Sequence, residues 1–211
     1  MKSEEIAAAL RSKLAAPLPG ADAHRIAWPE HLPTRGSFTE ESSYRSAAVL
    51  LLLVPRADGV WIPLVERPAS MADHPGQIAC PGGRVEPGET GAEAALRELE
   101  EELGVPRNRV RLLGELTTVW IPVSGFRVQP FVGWADKEPE WIPDPREVGR
   151  LLFARAEELA RHGPAGRYRR RLSGVDFDVP AYEVADGMVW GATALLLAEF
   201  GEVWKTLETE T

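Results

Sequence analysis

The sequence predicts an α/β fold, a layered sandwich of helices on a mixed set of strands, on three observations. Ala48 to Val54 is a continuous apolar run of the kind that forms a strand buried on both faces. A helix with clear start and stop signals, Thr90 to Gly104, lies between strand-like stretches. A second apolar helical stretch, Trp190 to Trp204, closes the chain with Ala194, Leu195, Ala198 and Val203 available for packing. Strands interleaved with helices of this length bury their apolar faces by layering.

Taken in order, residues 3–15 read as an amphipathic helix with Ser3 as cap and Ile6, Leu10 and Leu14 on one side. Pro17 and Pro19-Gly20 stop it. Residues 16–44 are rich in Pro, Gly and polar residues, and are expected to lie as an arm over the core, with Trp28 and Leu32 as anchors. A disordered leader is the alternative. The division expected is therefore a helix and arm over 1–43 and one domain over 44–211. Strands are expected at 46–54 and 60–66, joined by the Asp58-Gly59 turn. Two more, Val110–Trp120 and Phe126–Trp134, flank Pro122-Val123-Ser124-Gly125. Gly149–Phe153 reads as a strand and Ala156–Arg161 as a short helix. Arg167–Leu172 and Phe177–Tyr182 read as a pair joined by Ser173-Gly174. There are no internal repeats, heptads or low-complexity tracts.

Composition narrows the function. The 211 residues suit one domain with a core of its own. A net charge of −8 argues against a protein whose main task is gripping nucleic-acid backbones. Cys80 is the single cysteine, which excludes an internal disulfide and fits a reducing compartment. Met1 to Glu5 lacks the basic start of a secretory leader, and no apolar run is long enough to span a bilayer. A soluble cytoplasmic protein with no membrane partner is expected.

The middle helix carries the chemistry. Thr90 and Glu93 form a capping box, and Gly104 suits the left-handed residue that ends a helix. Ala92, Ala95, Leu96, Leu99 and Leu103 form an apolar stripe, while Glu98, Glu101 and Glu102 crowd another face. Like charges at this spacing cost a helix about 0.2–0.5 kcal/mol per pair. Glu100, Glu101 and Glu102 also occupy the last turn, where the helix dipole favours cations. A solvated acidic face is the plain alternative; a divalent cation would remove both objections. Mg²⁺ is typically held by one or two carboxylates together with substrate phosphates.

Gly83, five residues, Glu89, seven residues, then Arg97-Glu98-Leu99-Glu100-Glu101-Glu102-Leu103-Gly104-Val105 resembles a complete Nudix box. The resemblance implies an α/β/α sandwich with a mixed β-sheet and hydrolysis of a nucleoside diphosphate linked to another group, with Mg²⁺ or Mn²⁺. Leu64-Val65-Glu66-Arg67 and Asp73-His74-Pro75-Gly76-Gln77-Ile78-Ala79-Cys80-Pro81-Gly82-Gly83 resemble the coenzyme A pyrophosphatase subgroup. So do Pro122 to Phe126 with Pro130, Pro145-Arg146-Glu147-Val148, and Trp190-Gly191-Ala192-Thr193-Ala194. That resemblance runs from about residue 46 to residue 198. It departs at Ala72, Val65, Pro68 and Cys80, where the subgroup has Arg, Thr, Ser and Phe.

By this resemblance Glu98 and Glu102 are the leading metal ligands, Glu101 the next, and Glu89 the holder of a second metal through water. A Gly82 or Gly83 carbonyl could complete the metal shell, although a simple tight turn also explains the pair. Arg97 would hold the neighbouring glutamates, unless it is an ordinary surface ion pair. Arg67 and Gln77 are candidates for the diphosphate or the pantetheine arm, and His74 for donating to a phosphate, with a structural role as its alternative. The base that activates water is Glu101 or, from outside the box, Glu147, for which capping is the alternative. The run Arg167, Arg169, Arg170, Arg171 could meet the 3′-phosphate of coenzyme A, or be a solvated face. Cys80 reads as a small packed residue, and Trp120 or Trp134 as a stacker for a base. Rival readings are a Nudix hydrolase of ADP-ribose, NADH or a nucleoside triphosphate, an RNA-decapping protein, and a binding module without catalysis. The partner expected is a small-molecule nucleotide, and a homodimer is an assembly the sequence leaves open.

Overall fold

The computed structural model describes residues 2–29, 44–71, 74–122, 124–172 and 175–208. Its helices are α1 (Ser3–Leu14), α2 (Ala21–His24), α3 (Gly91–Leu103), α4 (Ala156–His162) and α5 (Ala192–Glu208). The first strands are β1 (Arg45–Arg56), β2 (Gly59–Glu66), β3 (Ile78–Ala79), β4 (Gly82–Arg84), β5 (Val110–Glu115) and β6 (Val119–Ile121). They are followed by β7 (Phe126–Ala135), β8 (Arg150–Arg155), β9 (Gly166–Leu172), β10 (Val175–Val184) and β11 (Gly187–Trp190).

The apolar run in β1 dictates the layers. Side chains alternate across a strand, so Ala48, Leu50, Leu52 and Val54 face one way and Leu51 and Leu53 the other. All six are fully buried, so β1 must be covered on both sides. One side is covered by Ala94, Ala95, Leu99 and Leu103 of α3. The other is covered by Leu10 and Leu14 of α1, Leu159 of α4, and Leu196, Leu197 and Phe200 of α5. The result is the expected α/β/α layering with a mixed sheet.

β1 runs parallel to β7, with Arg45 opposite Phe126 and Leu53 opposite Trp134. Its other edge is shared. The first half pairs antiparallel with β4, placing Ala48 opposite Gly83, and the last residues pair with β2, Val54 opposite Trp61. β2 also carries β8 and β3. A separate antiparallel sheet has the order β11-β10-β9.

Three expectations are corrected. Val110–Trp120 is not one strand but β5 and β6, both antiparallel to β7. The break faces Pro130, which has no N–H for the ladder; its carbonyl accepts from Leu116, and the Thr117 N–H turns away to Glu199. Trp190 ends strand β11 instead of opening the last helix, because Gly191 turns the chain at φ +67° before α5 begins. Ser3 does not cap α1: Lys2 holds that position, and its N–H donates to the Glu5 carboxylate at 2.8 Å. Two-residue β3 and three-residue β4 are too short to show a period in sequence.

The N-terminal segment packs on the same core. Leu14 sits where a side chain on Gly114 would otherwise stand. α2 and the 3-10 turn Arg25–Ala27 follow, with Ala23, His24 and Ala27 buried and Trp28 packed against the core. Residues 30–43 of the expected arm, with Leu32, lie outside the described residues, as do Ala72, Asp73, Val123 and the Ser173-Gly174 turn. Among the described residues no helix is long and apolar enough to cross a membrane.

Candidate active site and metal centre

The site is built on α3. The Thr90 side chain accepts from the Glu93 N–H at 3.2 Å, and the Glu93 carboxylate accepts from the Thr90 N–H at 2.8 Å. That capping box satisfies two free donors at the helix start. Gly104 ends the helix in the left-handed region at φ +70°, its N–H bonded to the Glu100 carbonyl. The buried stripe is Ala94, Ala95, Leu99 and Leu103, with Ala92 and Leu96 at its margin, so the helix is turned slightly from the expected face. That turn buries Glu102 (3% exposed) beside the stripe.

Two loops meet this helix. β4 follows Pro81, whose carbonyl accepts from Leu50 at 2.8 Å, and pairing with β1 lays Gly82 and Gly83 against α3. The Gly82 N–H donates to Glu102 Oε2 at 3.3 Å. A Cβ on Gly83 would overlap the Glu98 carboxylate, and one on Gly82 the Ala48 carbonyl. Both glycines are there for close approach, beyond any need of a tight turn. From the other side, residues 142–148 cap the C-terminal end of α3. The Ile142 and Asp144 N–H groups donate to the Leu103 and Glu102 carbonyls, both at 2.9 Å, which are free acceptors at any helix end. Glu147 N–H then bonds the Asp144 carbonyl, and this loop carries the Glu147 side chain to the helix.

The outcome is a group of three carboxylates: one oxygen each from Glu98, Glu102 and Glu147, all within 4.8 Å of one another. Burial, the Glu98 charge and the Glu147 charge push Glu102 up to about 8, with the Gly82 N–H and the Arg67 charge opposing. Burial also raises Glu98, against the pull of Arg97 and with help from Glu101 and Glu147. Three hard oxygen donors whose charges repel in a half-buried cleft are the donor set that Mg²⁺ or Mn²⁺ favours. The residues present therefore fit a divalent ion.

Arg97 organises the rim. Its Nε donates to Glu89 Oε1 at 2.9 Å, and Nη1 to Glu98 at 2.9 Å and Glu101 at 2.8 Å. Nη2 donates to Glu89 and to the Arg84 carbonyl. Its side chain is only 13% exposed, far from an ordinary surface pair. The contacts hold Glu89 below the usual carboxylate range, chiefly through that Arg97 bond. Lys has one point charge and no fork. Arg97→Lys is therefore expected to weaken metal binding roughly 10- to 100-fold, the usual cost of losing a ligand's support, read by Mn²⁺ titration.

The other sequence candidates divide. Arg67 lies close enough for its charge to act on Glu102, and its N–H and carbonyl close a loop with Gln77 and Gly76 at 3.0 Å each. Gln77 reaches toward Gly191 at the start of α5. His74 is exposed on this loop in a left-handed backbone at φ +56°. Glu101 is half exposed and turned to Arg97, outside the group of three. Arg169 lies on the second sheet, with its guanidinium 3.0 Å from Asp178 on the neighbouring strand. Cys80 is buried and its thiol is pushed up to about 12, first by burial and then by Glu102, which matches a packed residue. Trp134 is fully buried and has no face to offer a base, a correction that follows from its place inside β7. The Arg84 carbonyl was not foreseen; its position directly after Gly83 was the available signal.

Residues 43–172 match the NUDIX domain family. The chain is 33% identical over 169 residues to Nudix hydrolase NudL of Salmonella paratyphi B and of Salmonella newport, covering 78% of this chain and 86% of each relative. Its fold is similar to a MutT/nudix family protein from Enterococcus faecalis, with a TM-score of 0.54 at 20% identity over 97% of this chain and 75% of that one. It is also similar to the Nudix hydrolase RenU from M. smegmatis, with a TM-score of 0.51 at 20% identity over 79% and 88%. Box, carboxylate group, arginine hub and likeness agree, and the chain belongs to the Nudix hydrolase superfamily.

Proposed function

We propose that the protein is a metal-dependent pyrophosphohydrolase that cleaves the diphosphate of coenzyme A or its derivatives to 3′,5′-ADP and 4′-phosphopantetheine. One observation carries the reaction class: Glu98, Glu102 and Glu147 converge beside a glycine loop whose backbone lies directly against the Glu98 carboxylate. Coenzyme A rests on the stretches around Arg67, Gln77, Glu147 and Trp190-Gly191 that resemble that subgroup.

When bound, a divalent ion neutralises phosphate charge and acidifies water. The chain supplies the rest. Glu98 and Glu102 would hold the ion, with Glu147 or Glu101 completing the set, and Glu89 would serve a second ion. Arg97 keeps Glu98, Glu101 and Glu89 from swinging into solvent. Glu101 or Glu147 accepts the proton of the attacking water. Gly82 and Gly83 let the loop backbone lie against Glu98 and Glu102, with Arg67, Gln77 and His74 orienting the diphosphate.

A second reading, hydrolysis of ADP-ribose or NADH, is favoured by Ala72 and Pro68, where the coenzyme A subgroup carries Arg and Ser. Incubation with Mg²⁺ or Mn²⁺ and each substrate, with products identified by mass, decides between them. Coenzyme A is expected to give 3′,5′-ADP and 4′-phosphopantetheine faster than ADP-ribose gives AMP. The reverse order would move the assignment to the second reading.

A further inference from the structure

Beside the glycine loop lies a cationic patch in an otherwise acidic protein. Arg84, one residue beyond Gly83, pairs with Ala47 on β1, and Arg45 lies two residues before Ala47. Phe126 on β7 is opposite Arg45. Cross-strand partners and residues two apart share a face, so Arg45, Arg84 and Phe126 stand together on one side of the sheet. The guanidinium carbons lie 4.2 Å (Arg45) and 5.6 Å (Arg84) from the Phe126 ring centroid. Both arginines are exposed.

Several other arginines of this chain are ion-paired. Arg56, Arg107, Arg111 and Arg150 are each paired with a carboxylate. Among the described residues neither Arg45 nor Arg84 has such a partner; Arg45 donates to the Ser124 carbonyl at 2.9 Å. A guanidinium lying on an aromatic face has N–H groups left at its edge, even with Arg45 Nη2 given to Ser124, and that edge matches the geometry of a phosphate. The backbone of Arg84 is meanwhile tied to the site, since its carbonyl accepts from Arg97 at 3.0 Å.

We infer that Arg45 and Arg84, braced by Phe126, form the subsite for a phosphate monoester carried by the nucleoside half of the substrate. This rests on the nucleotide reading above and names its specificity: a 3′-phosphorylated nucleotide over its dephosphorylated counterpart. Two cations with no carboxylate partner among the described residues also offset the repulsion a polyanion meets from a chain of net charge −8. Arg169 has its fork engaged by Asp178.

The test is calorimetric titration of the full chain in Mg²⁺ with 3′,5′-ADP and with 5′-AMP. The wild type is expected to bind 3′,5′-ADP at least about tenfold tighter. In an Arg45→Gln/Arg84→Gln double variant that ratio is expected to fall to about twofold or less, with 5′-AMP affinity unchanged. Arg161→Gln on α4, which removes equal charge per site elsewhere, is expected to keep the ratio. Equal binding of both nucleotides by the wild type, or a ratio that survives the double substitution, overturns the proposal. A thermal melt of the double variant shows that the fold is intact. If coenzyme A is not cleaved but the ratio behaves as expected, the reaction reading fails and the subsite stands. If it is cleaved and the ratio is absent, the subsite fails alone.

Discussion

Glu102→Gln is expected to stabilise the metal-free protein and to remove its metal-dependent turnover. Glu102 sits buried against Glu98 and Glu147, and its carboxyl is pushed from 4.5 up to about 8. The sign follows from proton counting. Between those two values the folded protein holds a proton that the unfolded chain has released, so stability falls as pH rises from 4.5 toward 8. An amide of the same shape carries no charge and still offers an oxygen to the Gly82 N–H. Each pH unit is worth about 1.4 kcal/mol at most, and solvent relaxation takes some of that away. A gain of roughly 2–4 kcal/mol at pH 8 is expected, shrinking to nothing below pH 4.5. Magnesium should raise the melting temperature of the wild type and leave the variant where it was. Turnover should fall by more than the roughly 100-fold that loss of a ligand's support alone can cost. Denaturant curves at pH 5 and 8, with and without metal, check all of this. A variant less stable than wild type at pH 8 would sink the account of the site as a set of strained carboxylates.

Glu199→Ala should be the most damaging single change outside the box. Glu199 of α5 is fully buried and accepts from four donors on two other segments. They are the Gly20 N–H at 3.1 Å, His24 Nε2 at 3.0 Å, the Thr117 N–H at 3.0 Å and the Thr117 hydroxyl. Removing the carboxylate leaves those donors in a dry interior, where each unsatisfied group costs about 1–3 kcal/mol. Breaking a buried pair from one side typically costs roughly 3–5 kcal/mol in all, and that loss of stability is expected in a urea titration. Because Gly20 and His24 belong to the N-terminal segment, proteolysis between α1 and β1 should also speed up in the variant. Burial alone would raise Glu199, yet the bonds from His24 and Thr117 outweigh it and hold its carboxyl below the usual range. Its contribution is therefore complete above the ordinary value of 4.5 and is lost as pH falls through the lower folded value. Glu199→Gln should flatten that acid limb. A variant as stable as wild type, with unchanged proteolysis, would show that the arm is held by its apolar contacts alone.

Much of this could be read from local chemistry. Thr90 and Glu93 three residues apart, and Gly104 at the end, define α3 because capping acts within one turn. The apolar run of β1 requires two covering layers because its side chains alternate. Less legible were elements created by a partner. β4 exists because β1 offers it an edge, and β5 and β6 separate because Pro130 on the facing strand cannot donate. Neither fact is visible in the segment that it shapes.

By itself the sequence determined which helix carries the acids, that Glu98, Glu101 and Glu102 share a helical neighbourhood, and that two glycines precede them, since one helical turn and one loop decide such spacing. Tertiary structure alone decided which carboxylates meet. Glu147 arrives because the free carbonyls at the end of α3 draw in the Ile142 and Asp144 amides, and Glu101 stays at the rim because Arg97 holds it there. Which charge is buried, and hence which one holds a proton, depends on neighbours far along the chain that only packing brings within reach.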